Sequence, residues 1–463
     1  MDRHMFTTDL MLLAVFLSSL LFSDIPAASA TPPSARPERV TVTAGGRVDM
    51  CLSCHRERPD TSHGRDVLGC AVCHLGDALA GRKKQAHRGM VLNPGELAVV
   101  DLTCGRPGCH ADEVKWVKNS LMATNRGIIS TLRYYWGESP DNREEISVSR
   151  LKETGMNSPA LDYYRKLCGS CHLWVEKGTL PFFLSTKGGG CTACHYLKRH
   201  PGYAGEKDHG HVFHPWITRS VPMENCIRCH NRSGRIGLSY RGEFESEGYG
   251  TPYVEGDLSP AQYADGRFFL KVKADVHHEK GIVCIDCHTQ REIMGDGTYH
   301  AHFEEQLEVT CLTCHNSVEA LETVAAASME ETGLQEKSGG SERIPKLDIR
   351  KKGPAFFLED KSSKKLHRLN PPDPVSCGNP VHSRLACQAC HSTWVPQCYG
   401  CHVRMNRREK QLDKIALKET PGRWKEYRSF IRYESPPLGI LEGHDSGSGR
   451  GGTGGKVVVM VPG

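Results

Sequence analysis

Ten times along 463 residues, two cysteines stand just ahead of a histidine. Nine copies have two residues between the cysteines: Cys51/Cys54/His55, Cys70/Cys73/His74, Cys168/Cys171/His172, Cys191/Cys194/His195, Cys226/Cys229/His230, Cys284/Cys287/His288, Cys311/Cys314/His315, Cys387/Cys390/His391 and Cys398/Cys401/His402. In the remaining copy, Cys104/Cys109/His110, the third along the chain, the gap is four residues. Thiols at i and i+3 lie about one helical turn apart, so both can form thioethers to one porphyrin edge while the histidine at i+4 projects towards iron. That is the arithmetic of c-type haem attachment, and it calls for about ten covalent haems c with proximal ligands His55, His74, His110, His172, His195, His230, His288, His315, His391 and His402.

Composition alone, with 21 Cys and 24 His, predicts on the order of 0.05 such patterns by chance. A structural zinc site needs thiols spaced to close a tetrahedron, with no histidine after every pair. Disulfides across each pair would leave the histidines unexplained. In the stretched copy, Gly105, Pro107 and Gly108 can let two extra residues loop outward and keep Cys109 next to His110.

An iron in such a site needs a sixth ligand to become a low-spin carrier, whereas an open position admits substrate. Setting aside His4 and His444, twelve histidines remain as candidate distal ligands: His63, His87, His200, His209, His211, His214, His277, His278, His300, His302, His367 and His382. Twelve candidates for ten irons is close to a complete bis-histidine set. Several stand shortly upstream of a motif: His63 before Cys70, His209, His211 and His214 before Cys226, His277 and His278 before Cys284, and His382 before Cys387. Met122 is an alternative for the stretched site, although apolar packing of a Val114 to Met122 helix is the simpler account of it. Cys377 is the odd thiol, read most simply as buried and unreactive.

The elements that must position these groups are constrained by length. A short polar start with Arg3, an apolar run from Leu10 to Phe22 and a small-residue site at Ala28-Ser29-Ala30 read as a signal peptide over residues 1–30, implying export to the periplasm or beyond. Later stretches lack the length and apolarity of a membrane helix. The remaining 433 residues leave about 43 per haem, too few for an ordinary core around each ring. Hydrophobic residues make up 38%, below the globular norm. The expected fold is therefore mainly short α-helices and loops wrapped around stacked haems, with few short β-strands. Losing Arg3 and three Asp with the signal raises the formal net charge from +5 to +7. Ten ferric haems at about −1 each would bring the loaded protein to about −3, so the basic excess reads as counter-charge to propionates. No basic stretch with interleaved aromatics argues for nucleic acid.

Motifs begin at 51, 70 and 104, then at 168, 191 and 226, then at 284 and 311, which suggests duplicated blocks over 51–110, 168–230 and 284–315 within a haem-binding region of 31–316. A second register pairs 70/104 with 284/311 and also matches a histidine upstream of each. Residues 317–376 read as a linker or subregion, with a helix from Ser317 to Glu331, a polar loop over Gln335 to Glu342, and a hairpin of Leu347–Ile349 with Ala355–Leu358. A terminal haem pair occupies 377–402. The tail, 403–463, suggests a hairpin of Phe430–Tyr433 with Val457–Val461.

The ten motifs resemble those of multihaem c-type cytochromes of anaerobically respiring bacteria. The His382 to His402 stretch is similar to the terminal pair of large exported members, and the whole is loosely similar to cytochromes encoded with selenite and tellurite reduction systems. The resemblance implies electron transfer between a quinol-linked donor and a downstream cytochrome or terminal acceptor. An oxyanion reductase is the alternative. It would need one open haem beside groups such as Lys115, Lys118, Arg126, Tyr134, Tyr135 and Trp136, downstream of His110. No motif here ends in lysine, as one does in pentahaem nitrite reductases. Subunits of a cytochrome filament, sharing ligands between chains, are a third possibility.

Overall fold

In a computed structural model, the described residues are 42–43, 46–55, 63–64, 68–178, 181, 187–197, 214–231, 236–245, 261–262, 268–329, 344–398, 401–428, 431–441 and 455–460. The expected signal peptide, the 335–342 loop and His200, His209 and His211 lie outside them. Among the described residues, no helix is long and apolar enough to cross a membrane.

Helices are short and gather at the cysteine pairs: Cys51–Cys54, Ala71–His74, Cys191–His195, Cys284–Cys287, Cys311–Cys314 and Cys387–His391. Each spans about one turn, which brings the two thiols to one side. The recurrent closing bond runs from the histidine N–H to the carbonyl of the first cysteine, at 2.8 Å from His55 to Cys51 and 2.9 Å from both His288 to Cys284 and His315 to Cys311. Tyr164–Cys168 instead ends a helix in wider π geometry, and the motif continues as turn.

Two expectations need correction. The expected Val114 to Met122 helix breaks at Ser120, giving Ala111–Asn119 and Leu121–Thr124, because Ser120 is extended and its hydroxyl returns to the Val117 carbonyl at 2.8 Å. A third helix, Arg126–Tyr135, follows Asn125, whose φ of 49° turns the chain. Strands are also more extensive than expected. Cys401–Asp413 and Lys418–Arg428 form one long antiparallel hairpin, so the tenth motif sits on strand and the segment after it is no tail. Ile431–Glu434 pairs with Val395–Cys398, and Lys456–Val459 with Leu438–Leu441, in place of the expected pairing of 430–433 with 457–461.

The long hairpin is held to the body by buried charge. Lys166, fully buried, donates to the Asp162 carboxylate at 2.9 Å and to the carbonyls of Pro421 and Gly422 at 2.5 and 2.8 Å. Trp424 Nε1 donates to the same carboxylate at 2.8 Å, and Arg165 pairs with Asp413 at 3.3 Å. Every charge in this clasp is partnered, which is the condition for burying it. Trp136, Tyr163 and Trp424 stack mutually with centroids 5.3–5.5 Å apart above it.

Residues 318–369 form a small α+β unit with its own core, where a linker was an alternative. Helix Val318–Met329 packs on a sheet of Ile349–Lys352, Ala355–Glu359 and Leu366–Arg368, burying Leu321, Val324, Leu347, Ile349, Phe356 and Leu358 together with Ile282. The other apolar clusters are small: one centres on Ile129, Ile146, Leu151, Leu161 and Tyr164, another on Leu97, Val100, Val114 and Val117.

Candidate haem sites

Among the described residues, four contacts between histidine rings each join a motif histidine to one of the candidate distal histidines. His55 faces His87 at 6.0 Å between centroids, His110 faces His63 at 6.2 Å, His74 faces His214 at 5.9 Å, and His315 faces His277 at 6.2 Å. Two imidazoles on opposite sides of one metal, with bonds of about 2.0 Å, have centroids about 6.3 Å apart. Ordinary aromatic pairing covers a similar range. The composition of the pairs distinguishes the two cases, since every one takes one member from each class.

The second nitrogen of the ring agrees. Nδ1 is hydrogen-bonded to the Val91 carbonyl in His74 (2.9 Å), to Thr218 O in His195 (2.8 Å), to Asn370 O in His315 (2.9 Å) and to Glu292 Oε2 in His288 (2.8 Å). Among candidate distal residues, His214 Nδ1 bonds Pro215 O at 2.7 Å, His277 Nδ1 bonds Asp275 Oδ1 at 2.8 Å, and His382 Nδ1 bonds Ser376 O at 3.1 Å. An acceptor at Nδ1 fixes the tautomer and makes Nε2 the basic, ligating nitrogen, the usual arrangement around a metal-bound histidine. The carboxylates of Asp275 and Glu292 also hold His277 and His288 above the ordinary imidazole range. His172 is 3% exposed with neither ring nitrogen partnered, and burial pushes it down to about 3. The buried Nε2 of His302 is likewise unpartnered. Buried orphan nitrogens are costly in a protein, and a coordinated iron would satisfy them.

Among the described residues, most cysteines expected to carry thioethers are half-buried. Cys73, half-buried in the Ala71–His74 helix, and Cys390, exposed in the Cys387–His391 helix, are examples from opposite ends of the array. A thioether would be made to a porphyrin rather than within the chain, so what the protein itself fixes is the backbone turn. At the second site that turn is closed by Cys73 N–H to Cys70 O at 3.2 Å and His74 N–H to Cys70 O at 2.9 Å. At the ninth, Ala389 N–H reaches Ala386 O at 2.9 Å and Ser392 N–H reaches Gln388 O at 3.0 Å, on either side of Cys390.

The stretched motif keeps the pattern. His110 N–H still reaches the carbonyl of the first cysteine, Cys104, at 2.9 Å, now across six positions. The extra residues form their own turn, with Cys109 N–H to Arg106 O at 2.9 Å and Gly108 at φ +80°. His63 faces this site, and the Met122 carbonyl accepts from Leu173 N–H at 3.2 Å.

Adjacent sites touch. Cysteines of neighbouring motifs lie close enough to perturb one another's thiols: Cys104 and Cys191, Cys171 and Cys229, Cys226 and Cys284, and Cys311 and Cys387. The first and third contacts hold Cys104 and Cys284 at about 7, and the Cys104 contact pushes Cys191 up. Polar side chains make further links. Asp49, 2% exposed, accepts from the N–H groups of Cys51 at 3.0 Å and Cys70 at 2.5 Å. Asn225 donates to Cys194 O and Tyr196 O at 2.7 and 3.0 Å. Glu292 accepts from Glu308 and Val309 N–H, both at 2.6 Å, while holding His288. Sequence reasoning missed these three residues. Only Glu292 had a readable signal, the Thr289-to-Glu292 capping box.

Other candidates are placed elsewhere. His367 is buried against Asp360 at 2.8 Å, His300 pairs with Asp296 at 3.2 Å, and the His278 ring lies on Tyr240. Cys377 is exposed, against the expectation of a buried thiol. The groups considered for an open site do not converge: Arg126 is buried on the carbonyls of Glu144, Tyr299 and Arg143, Lys118 pairs with Asp101, and Trp136 belongs to the clasp. Among the described residues, no cluster of three or more His, Cys, Asp or Glu side chains forms a metal cage.

The chain matches no family model, no curated protein and no solved structure.

Proposed function

We propose that this chain is an exported decahaem c-type cytochrome that carries electrons along a bis-histidine array between a respiratory donor and a terminal acceptor. The observation that carries this reading is the set of four imidazole pairs, each spaced to hold one metal between an attachment histidine and a distal one. Bound haems supply reversible one-electron exchange at iron. The chain's own residues do the rest. Cysteine pairs would hold each haem covalently, the paired histidines would supply the iron's ligands, and acceptors at Nδ1 would make those histidines stronger donors, favouring the ferric state. An iron so held would have no place for a substrate.

Continuity of the sites supports conduction. Asp49 joins the sites at 51 and 70, and Arg106 of the third reaches the Val72 carbonyl of the second at 3.4 Å. Proximity of cysteines, with Asn225, places 104 beside 191, 191 beside 226, 168 beside 226 and 226 beside 284. Glu292 joins 284 to 311, and Gln388 of the 387 site reaches Cys311 Sγ at 4.0 Å.

The test is spectroscopic. Protein matured with haem should give about ten haems per chain and a ferric spectrum that is almost wholly low-spin. A mainly high-spin ferric protein, or one that turns over nitrite, sulfite, tetrathionate or selenite with a strong artificial donor, would sink the proposal.

A further inference from the structure

Positive charge is concentrated in one element. Residues 401–428 contain nine Lys or Arg and four Asp or Glu, a formal excess of +5 that equals the net charge of the whole chain. These residues are the long hairpin, and its register sorts them by face, since cross-strand partners point the same way. Met405 pairs with Trp424 and Val403 with Glu426; Trp424 is in the buried clasp and Glu426 accepts from Tyr163 Oη at 2.5 Å, so this face meets the body. The opposite face carries His402 with Tyr427, Arg404 with Lys425, and Asn406 with Arg423.

That outward face is not arranged for stability. Arg404 and Lys425 stand directly opposite each other with like charge, which destabilises a hairpin. Both are exposed, and the nearby Glu409 carboxylate, lowered mainly by its hydrogen bond from Arg423, feels Lys425 only at longer range. Two positions along, Arg423 does find Glu409, at 2.9 Å. An exposed Tyr427, 44% accessible, completes the row beside His402 of the tenth attachment site. Exposed Tyr and Arg are enriched at protein interfaces. Loaded with propionates, the rest of the molecule would be acidic, leaving this face as its positive pole.

We propose that the outward face of the hairpin, built on Arg404, Lys425, Tyr427 and His402, is the docking surface for an acidic redox protein exchanging electrons at the tenth site. The inference rests on the electron-carrying reading above. Like-charged side chains beside a terminal ligand draw a negatively charged surface into contact, speeding encounter more than tightening the complex.

The probe is reduced flavodoxin, a small acidic one-electron donor, mixed with the ferric holoprotein by stopped flow. One electron passes from flavin to protein in each encounter. At low salt, Arg404→Glu with Lys425→Glu should slow the second-order reduction at least about tenfold, and the milder Arg404→Gln with Lys425→Gln about threefold. The unmodified protein should slow steeply with added salt, until all three converge. Unchanged haem content and far-ultraviolet circular dichroism establish that the variants are folded. Variant rates within twofold of the parent at low salt would overturn docking while leaving the haem count, and so the earlier reading, intact. So would a shifted tenth-site potential with unaltered salt dependence, which would assign the charges to the chain's own propionates. Loss only of self-association, or only of binding to phosphatidylglycerol vesicles, would equally refute a redox partner.

Discussion

Two segments of this chain carry the same wiring on different scaffolds. In the first, His63 precedes the site at 70 and faces His110 of the next site; in the second, His277 precedes the site at 284 and faces His315 of the next. The ring pairs agree closely, at 6.2 Å and 55° in one and 6.2 Å and 56° in the other. Yet the receiving motif is stretched in the first unit and regular in the second. The match favours the register that pairs 70/104 with 284/311. It also teaches that the spacing of the imidazole pair follows the bond from histidine N–H to the first cysteine's carbonyl, 2.9 Å in both, and tolerates what lies between. A second difference concerns charge: His74 leans on a neutral carbonyl, whereas His288 leans on the buried carboxylate of Glu292.

If the units are equivalent, removing either donor must have the same effect. His63→Ala and His277→Ala should each convert about one haem in ten from low to high spin, read by electron paramagnetic resonance. A conversion in only one variant breaks the equivalence. The charge difference predicts the next largest effect. A carboxylate at Nδ1 strengthens the imidazole donor, so the 284 site should have the lower potential, and Glu292→Gln should raise it by tens of millivolts, at about 59 mV per tenfold change in equilibrium. The 70 site should stay fixed in an assigned redox titration. Gly108→Val places a branched residue at φ +80°, costing about 1–2 kcal/mol. Mass spectrometry should then show a fraction of chains one haem short. The smallest effect is expected from deleting Gly105 and Arg106, which restores regular spacing. Haem count should be unchanged, and stability should drop by about 1 kcal/mol for the Val100 and Val72 carbonyl contacts that are lost.

The one-turn elements at the cysteine pairs were legible in the sequence because they follow from residue type and local spacing. So was the pool of histidines outside the motifs. Their pairing was not, since His214 meets His74 across 140 positions and only tertiary structure brings them together. The helix expected over 114–122 failed at Ser120, where a side-chain bond to its own backbone outcompeted helical propensity. The long hairpin was missed for a different reason. Over 401–428 charged residues occupy both faces, so the alternation that marks a strand is blurred. Its inner face is defined by a buried Lys166 and Trp424 sharing one carboxylate, a pairing visible only once residues 162 and 424 are in contact. The hairpin at 347–358 was readable in part, from the apolar run Ala355–Leu358 and the Gly353-Pro354 turn, but its first strand continues through the charged Arg350, Lys351 and Lys352, which carry no apolar signal.

An experimental structure of the haem-loaded protein, read at the stretched site, tests the central claim most directly. The account predicts one iron held between His63 and His110, each through Nε2, with His277 and His315 holding another in the same way. A water, Met122 or an empty position opposite His110 would contradict it, and would move the site from carrying electrons towards chemistry.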